Sequence, residues 1–315
     1  MLSVQTKIKP KYNKNKQLII VAGPTAIGKT AMSIELAQFY KCPIISFDSR
    51  QFYKELSIGT AKPSAAELAM ATHHFIDSHT IEKEYTAGIY EKEALALLDQ
   101  IFKTNDVCIA VGGSGLYIDA LVYGIDAMPK NAAIKEKWIQ THRTEGLKPL
   151  QDYLNEHNPE VFEFINKNNH ARMIRAIEVI EVSGNKFTAY RKSTAQARNF
   201  TPIWIGLNTD RAILYNRINE RVDIMMEKGL EEEVKSLIPF RFHTALKTVG
   251  YVEFFDYFEG IIPIEKSIEL IKRNSRRYAK RQLTWFKKNT AIEWFEPQKK
   301  GDILQYIQNV KKELL

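Results

Sequence analysis

The sequence predicts an α/β protein, a parallel sheet flanked by helices and interrupted by an all-helical insertion, and three observations carry that expectation. Gly23-Pro24-Thr25-Ala26-Ile27-Gly28-Lys29-Thr30 fits the phosphate-binding pattern G-x-x-x-x-G-K-[ST] and lies between an apolar run and an amphipathic stretch. Short β-type runs alternate with helical stretches through the first third, which is the signature of a helix-covered parallel sheet. From about Asn131 to Arg198 the pattern turns helical, with Trp138, Tyr153, Phe162 and Phe164 among many charges and no convincing strand.

Taken in order, the chain opens on a polar segment in which Lys7, Lys9, Lys11, Lys14 and Lys16 supply five of a net charge of +8, with no acidic residue before Gln17. Residues 1–16 therefore read as a disordered basic arm. Leu18 to Ala22 is a continuous apolar run suited to a buried strand. A helix starts near Lys29, so loop N–H groups and the helix N-terminus converge on anionic oxygens. Lys29 adds a point charge and Thr30 a hydroxyl for Mg²⁺. Pro43 to Phe47, His74 to Asp77 and Val107 to Val111 read as further strands, with Glu91 to Phe102 as a covering helix. Ligands of such sheets sit beyond the carboxyl ends of the strands, so Asp48, Asp77 and Gly112-Gly113 are expected to face the phosphate loop.

Two of these strand ends admit more than one reading. Asp48, followed by Ser49, Arg50 and Gln51, suits a general base or a Mg²⁺ ligand, and equally a turn cap. Gly112-Gly113-Ser114-Gly115-Leu116-Tyr117 allows close approach of a second phosphate or a planar group, and equally a tight turn capped by Ser114.

The β signal returns at Pro202 to Leu207, Asp210 caps a following helix, and Ile292 to Phe295 is short enough to be an edge strand. The expected organisation is a P-loop NTPase-like core from 17–130 and 201–315, with 131–200 as an inserted helical domain. Near the end, Ile264, Ile268, Ile271, Ser275, Tyr278, Gln282 and Trp285 recur at steps of four and three and define one helix face. Lys272, Arg273, Arg276, Arg277, Lys280, Arg281, Lys287 and Lys288 fill much of the rest, against Glu269 as the single carboxylate between Lys266 and Asn289. A stretch so weakly opposed suits a polyanion track, and a solvated face is the plainer alternative.

Composition excludes several classes. No apolar run approaches the roughly 20 residues of a membrane span, and the start lacks a secretory h-region, so a cytoplasmic location is expected. Cys42 and Cys108 sit in apolar runs and read as buried reduced thiols. His73 and His74 lack partners at metal-site spacing, and neither a Cys/His finger nor a nucleophile elbow is present.

The motifs together resemble the tRNA dimethylallyltransferase family of bacterial type. The matching segments are Gly23 to Thr30, Asp48 to Tyr53, Ile58 to Pro63, His73 to Asp77, Val111 to Tyr117, Arg172 to Val179, Val249 to Tyr251 and Arg277 to Phe286. They run in the family's order over nearly the whole chain. Departures are modest: Ser114 stands where the family usually has Thr, Thr72 where it often has Pro, and Val252 where Arg commonly follows Gly-Tyr.

The resemblance implies transfer of a dimethylallyl group from dimethylallyl diphosphate to the exocyclic N6 of the adenosine immediately 3′ of the anticodon, in the anticodon stem-loop of tRNA. It also implies Mg²⁺ as cofactor; nothing in the sequence suggests an obligate partner, so a monomer is expected. Catalytic roles would fall to Asp48, Lys29, Thr30, Ser114 and Arg221, with the diphosphate on Gly23 to Thr30 and its metal on Thr30. Contacts to tRNA would come from Asp48, Ser49, Arg50, Gln51, Ser114, Arg172, Met173, Arg175, Lys247, Gly250, Tyr251, Lys280 and Arg281. For Arg175 the spacing equally allows an ion pair with Glu178.

Overall fold

The computed structural model describes residues 12–126, 128–190 and 196–314. The chain divides into two compact units, one built from Pro10–Tyr123 and Gln196–Leu315, the other from Gly124–Ala195.

In the larger unit the first elements are β1 (Gln17–Ala22), α1 (Lys29–Tyr40), β2 (Ile44–Ser46), α2 (Ala65–Met70), β3 (His73–His74), α3 (Ala87–Thr104), β4 (Val107–Gly112) and α4 (Gly115–Tyr123). The smaller unit contributes α5 (Ala132–Glu145), α6 (Lys148–His157) and α7 (His170–Ser183). The larger unit resumes with β5 (Thr201–Leu207), α8 (Arg211–Glu227), α9 (Leu230–Ser236), α10 (Val252–Phe258), α11 (Ile264–Phe286), β6 (Glu293–Phe295) and α12 (Lys300–Leu314).

The sheet has six strands in the order β3-β2-β4-β1-β5-β6, every neighbouring pair parallel. Every residue of β1 is buried, as a central parallel strand covered on both faces requires. Its side chains alternate between two cores. Leu18, Ile20 and Ala22 join Tyr90, Leu98 and Leu121 on one face; Ile19 and Val21 join Leu36, Ile218 and Ile303 on the other. Because β2, β4 and β1 are neighbours, the segments leaving their carboxyl ends are brought together: Asp48, Gly112-Gly113 and the phosphate loop.

β3 is shorter than the sequence predicts. Phe75 and Asp77 take positive φ values of 62° and 52°, a left-handed backbone that ends strand pairing after His74. Asp77 does not line the cavity of the phosphate loop; its carboxylate pairs with Lys62, which does.

The end of the predicted arm is also different. Residues 1–11 lie outside the described residues, but Tyr12 bridges to Arg198, the Lys16 ammonium reaches Asp106 at 2.8 Å, and the Lys16 carbonyl accepts from Thr201 N–H at 2.7 Å. Those bonds tie the segment before β1 to the neighbouring strands, which composition alone does not reveal. Both cysteines are free and buried, and burial pushes the Cys42 thiol up to about 12.

Where the chain leaves and re-enters the larger unit, Gln196 N–H donates to the Tyr123 carbonyl at 3.0 Å. Next to that point Arg198 is buried, bonding Glu91 at 2.6 Å and the carbonyls of Leu121 and Ala120 at 2.8 and 3.1 Å. Removing the carboxylate leaves a buried guanidinium without its counter-charge. Glu91→Ala is expected to cost about 3–5 kcal/mol, read as a lower urea midpoint, and a loss under about 1 kcal/mol would contradict that role.

The smaller unit has its own core of Trp138, Leu150, Leu154, Val161, Ile165, Ile174 and Ile177. Met173 is part of that core and fully buried, so it is not placed to touch RNA as the motif implies. Arg175 takes the ion-pair reading: it bonds Glu178 at 2.6 Å and the carbonyls of Pro129 and Met128 at 2.9 and 3.1 Å. Glu178 also accepts from Asn131 N–H at 2.8 Å, tying the start of α5 to α7. Arg172 remains exposed.

Candidate active site

At the carboxyl end of the sheet lies a cavity of about 690 Å³, within the range of roughly 300–1,000 Å³ that small-molecule sites occupy. Its wall is assembled from the phosphate loop, the turn after β2, residues 57–65, and faces of α8 and α11. Lys29, Thr30, Asp48, Arg50, Gln51 and Arg221 all line it.

The phosphate loop owes its shape to backbone that few residues tolerate. Gly28 precedes α1 at φ 99°, the left-handed region that favours glycine, and lets loop and helix N–H groups turn inward. From the far side Gln282 of α11 bridges two loops. Its amide oxygen accepts from Thr25 N–H at 2.9 Å, and its amide nitrogen donates to the Gly113 carbonyl at 2.9 Å.

That bridge settles what the glycine-rich turn admits. A β-carbon on Gly113 would lie 2.0 Å from the Gln282 amide nitrogen, so the close approach is made by a side chain of α11. Ser114 hydrogen-bonds Ser49 through both partners' polar groups, accepting from its N–H and donating to its hydroxyl, each at 3.0 Å. Burial pushes the phenol of Tyr278 of α11 up to about 12, a shift that Ser114 partly opposes. The predicted face of the C-terminal helix is therefore a cavity wall, with Ile271, Ser275, Tyr278 and Gln282 all on the lining.

Asp48 takes the turn-cap reading and also faces the cavity. Its carboxylate accepts from Arg50 N–H at 3.0 Å, which shapes the turn, and it lines the cavity together with Lys29 and Arg221. Arg221 approaches the Thr25 hydroxyl at 3.4 Å, and burial depresses its pKa while Asp48 opposes the shift. Lys29 is folded back onto its own loop, donating to the Pro24 carbonyl at 2.8 Å.

Desolvation lowers Lys29 to about 8, with Asp48 pulling upward and Arg221 pushing further down. The ammonium is thus present below pH 8 and lost above it. The pH profile of affinity for inorganic diphosphate is expected to carry a break near pH 8, above which affinity falls, that is missing from the Lys29→Met profile, where only the ligand's own ionisations remain. Calorimetric titration across that range checks this, and a break that persists in the variant would contradict it.

Gln51 spends both amide hydrogens on the loop that follows, donating to the Thr60 and Ala61 carbonyls at 3.2 Å each. Its amide oxygen is the group left to face a ligand. Arg50 donates to the Thr244 carbonyl at 3.2 Å. Gly250 lines the cavity, but Tyr251 is fully buried behind it and cannot meet a macromolecule directly.

Outside the cavity, Arg277, Lys280 and Arg281 of α11 and Lys247 are exposed. Lys272 is not, as its sequence neighbours suggested, without a partner: Asp223 of α8 pairs with it at 2.5 Å. Gln282 and Tyr278 were visible in the sequence as members of a periodic face and of the matched segment Arg277 to Phe286, and neither marked them as site residues. No helix among the described residues is long and apolar enough to cross a membrane.

Comparison with known proteins decides the family. The family model described as IPP transferase matches residues 51–289. The chain belongs to the IPP transferase family. Among IPP transferase relatives, a tRNA dimethylallyltransferase of Flavobacterium johnsoniae is 46% identical, over 95% of this chain and 100% of that protein. One from Cytophaga hutchinsonii is 44% identical over 93% of this chain and 97% of that one. The crystal structure of the full-length tRNA isopentenylpyrophosphate transferase of Bacillus halodurans superposes with a TM-score of 0.71 at 33% identity, covering 95% of this chain and 98% of that chain. A eukaryotic dimethylallyltransferase captured acting on tRNA gives a TM-score of 0.70 at 25% identity, over 86% of this chain and 69% of that one. The helix-flanked parallel α/β fold predicted from the sequence is the one these IPP transferases share.

Proposed function

We propose that the chain transfers a dimethylallyl group from dimethylallyl diphosphate to N6 of the adenosine immediately 3′ of the anticodon in tRNA, releasing diphosphate. The observation that carries this reading is the placement of Asp48 on the same cavity wall as Lys29 and Arg221, a carboxylate facing a phosphate cradle.

In this reading the loop Gly23 to Thr30 holds a leaving group. The allylic C–O bond breaks with its electron pair passing to the bridging oxygen, and loop amides, Lys29 and Arg221 stabilise that charge in a site shielded from water. Lys29 leaves the Pro24 carbonyl to do so, regaining full charge as an anion arrives. The donor set fits Mg²⁺, which takes one or two protein oxygens and completes its shell from phosphate and water: Thr30 offers a hydroxyl beside the loop. When bound, the ion neutralises part of the diphosphate charge.

The adenine amine becomes acidic only as its new bond to carbon forms, and Asp48 takes the proton released. The target base leaves its stack to reach the cavity. Gln51 then accepts from the remaining N6 hydrogen through its amide oxygen. Arg50 completes the wall around the base, while Ser49 and Ser114, bonded to each other and outside the cavity lining, would steady the turn that carries it. Arg172, Lys247, Lys280 and Arg281 are exposed cations suited to the phosphates of an anticodon stem-loop.

The test is incubation with unmodified tRNA and dimethylallyl diphosphate labelled in the prenyl group, followed by nucleoside analysis. Label in adenosine beside the anticodon is expected. Label that stays in the donor while ATP is consumed would point to a phosphoryl-transfer enzyme and overturn the proposal.

A further inference from the structure

We propose that Glu233 of α9, which does not itself line the cavity, is a positioning residue for the acceptor base, acting through the loop 57–61 on the Gln51 amide. This rests on the reading of the cavity as the place where an adenine amine is prenylated.

One carboxylate gathers four donors here. Its Oε2 accepts from the N–H groups of Ser57 and Ile58 at 3.2 and 2.7 Å, and its Oε1 accepts from Gly59 N–H at 3.0 Å and the Tyr251 hydroxyl at 2.7 Å. Three successive backbone N–H groups turned to one point form a concave anion site, and a side chain of this chain fills it. Tyr251 fixes the loop a second time by packing: a β-carbon on Gly59 would lie 2.7 Å from its ring.

The next two carbonyls of the same loop are the ones that Gln51 holds. Thr60 and Ala61 each accept from the Gln51 amide nitrogen at 3.2 Å. Turning the amide over would set its oxygen against two carbonyl oxygens, so the loop decides which end of Gln51 the cavity presents. With the loop in place that end is an acceptor, matched to an amino group and opposed to a 6-oxo purine. The phosphate loop shares none of these bonds. Glu233 should therefore govern the acceptor and leave the donor alone.

The test is a double-mutant cycle with Glu233→Gln and Gln51→Ala, reading kcat and KM for unmodified tRNA and, separately, Kd for dimethylallyl diphosphate. Glu233→Gln keeps the volume but faces N–H donors with an NH₂ group. It is expected to lower kcat/KM for tRNA about tenfold or more while donor Kd moves less than about twofold, and to cost less than about twofold further in the Gln51→Ala background. Equal losses in both backgrounds, or a donor Kd that weakens in step with the tRNA constant, would overturn the role. Should Glu233→Gln fail to fold, Tyr251→Phe, which removes one donor and retains the ring, enters the same cycle with the same criteria. A wild-type chain that transfers no prenyl group would refute the underlying reading, whereas a transferring wild type with an additive cycle refutes only the role of Glu233.

Discussion

Asp48→Asn is expected to slow prenyl transfer by about 10²–10⁴-fold, the usual contribution of a positioned general base. The substitution is informative because asparagine keeps the oxygen that accepts from Arg50 N–H, so the turn after β2 survives. Only the basicity goes. Asp48 also helps hold Lys29 and Arg221 in their charged forms, so the variant's break in diphosphate affinity should move below the wild-type value of about 8. Single-turnover rates at pH 7 or lower, with donor binding measured alongside, separate the two effects. A near-normal rate would remove Asp48 from the proton-accepting role.

Lys29→Met is expected to lower turnover by about 10²–10³-fold, comparable to loss of one preorganised group that meets developing charge. Methionine preserves most of the side chain's volume. The Pro24 carbonyl loses its bond from the ammonium, but Gly28 still sets the turn and Gln282 still braces Thr25 from α11. Both diphosphate affinity and the chemical step should therefore fall while thermal stability holds. Unchanged diphosphate affinity in Lys29→Met would place the leaving group elsewhere.

What the sequence made legible was local. The phosphate loop announces itself because its chemistry fits into eight consecutive residues, and the alternation of buried strands and amphipathic helices sets the parallel sheet that brings Asp48 toward it. What stayed hidden was long-range or depended on orientation. Gln282 reaches Thr25 across 257 positions, and spacing on α11 places it on a face without saying what that face meets. Glu233 gave no signal at all, since its partners are three backbone N–H groups far away in the chain and the hydroxyl of Tyr251.

Motif matching carried its own blind spot, because it marks residue types and not their exposure. Met173 and Tyr251 fall in family motifs, yet both are fully buried and serve packing or a second layer behind the cavity. Arg175 shows the same limit: a three-residue step to Glu178 permits either RNA contact or an ion pair, and the carbonyls of Met128 and Pro129 decide for the pair.

The central claim is that the phosphate cradle and Asp48 address two substrates meeting in one cavity, and a ternary complex with an unreactive thiodiphosphate analogue of the donor and an anticodon stem-loop tests it most directly. The account predicts the thiodiphosphate on the N–H groups of Gly23 to Thr30 and a flipped adenine with N6 within hydrogen-bonding reach of the Asp48 carboxylate. An adenine still stacked in its loop, or an analogue bound away from Lys29, would contradict it.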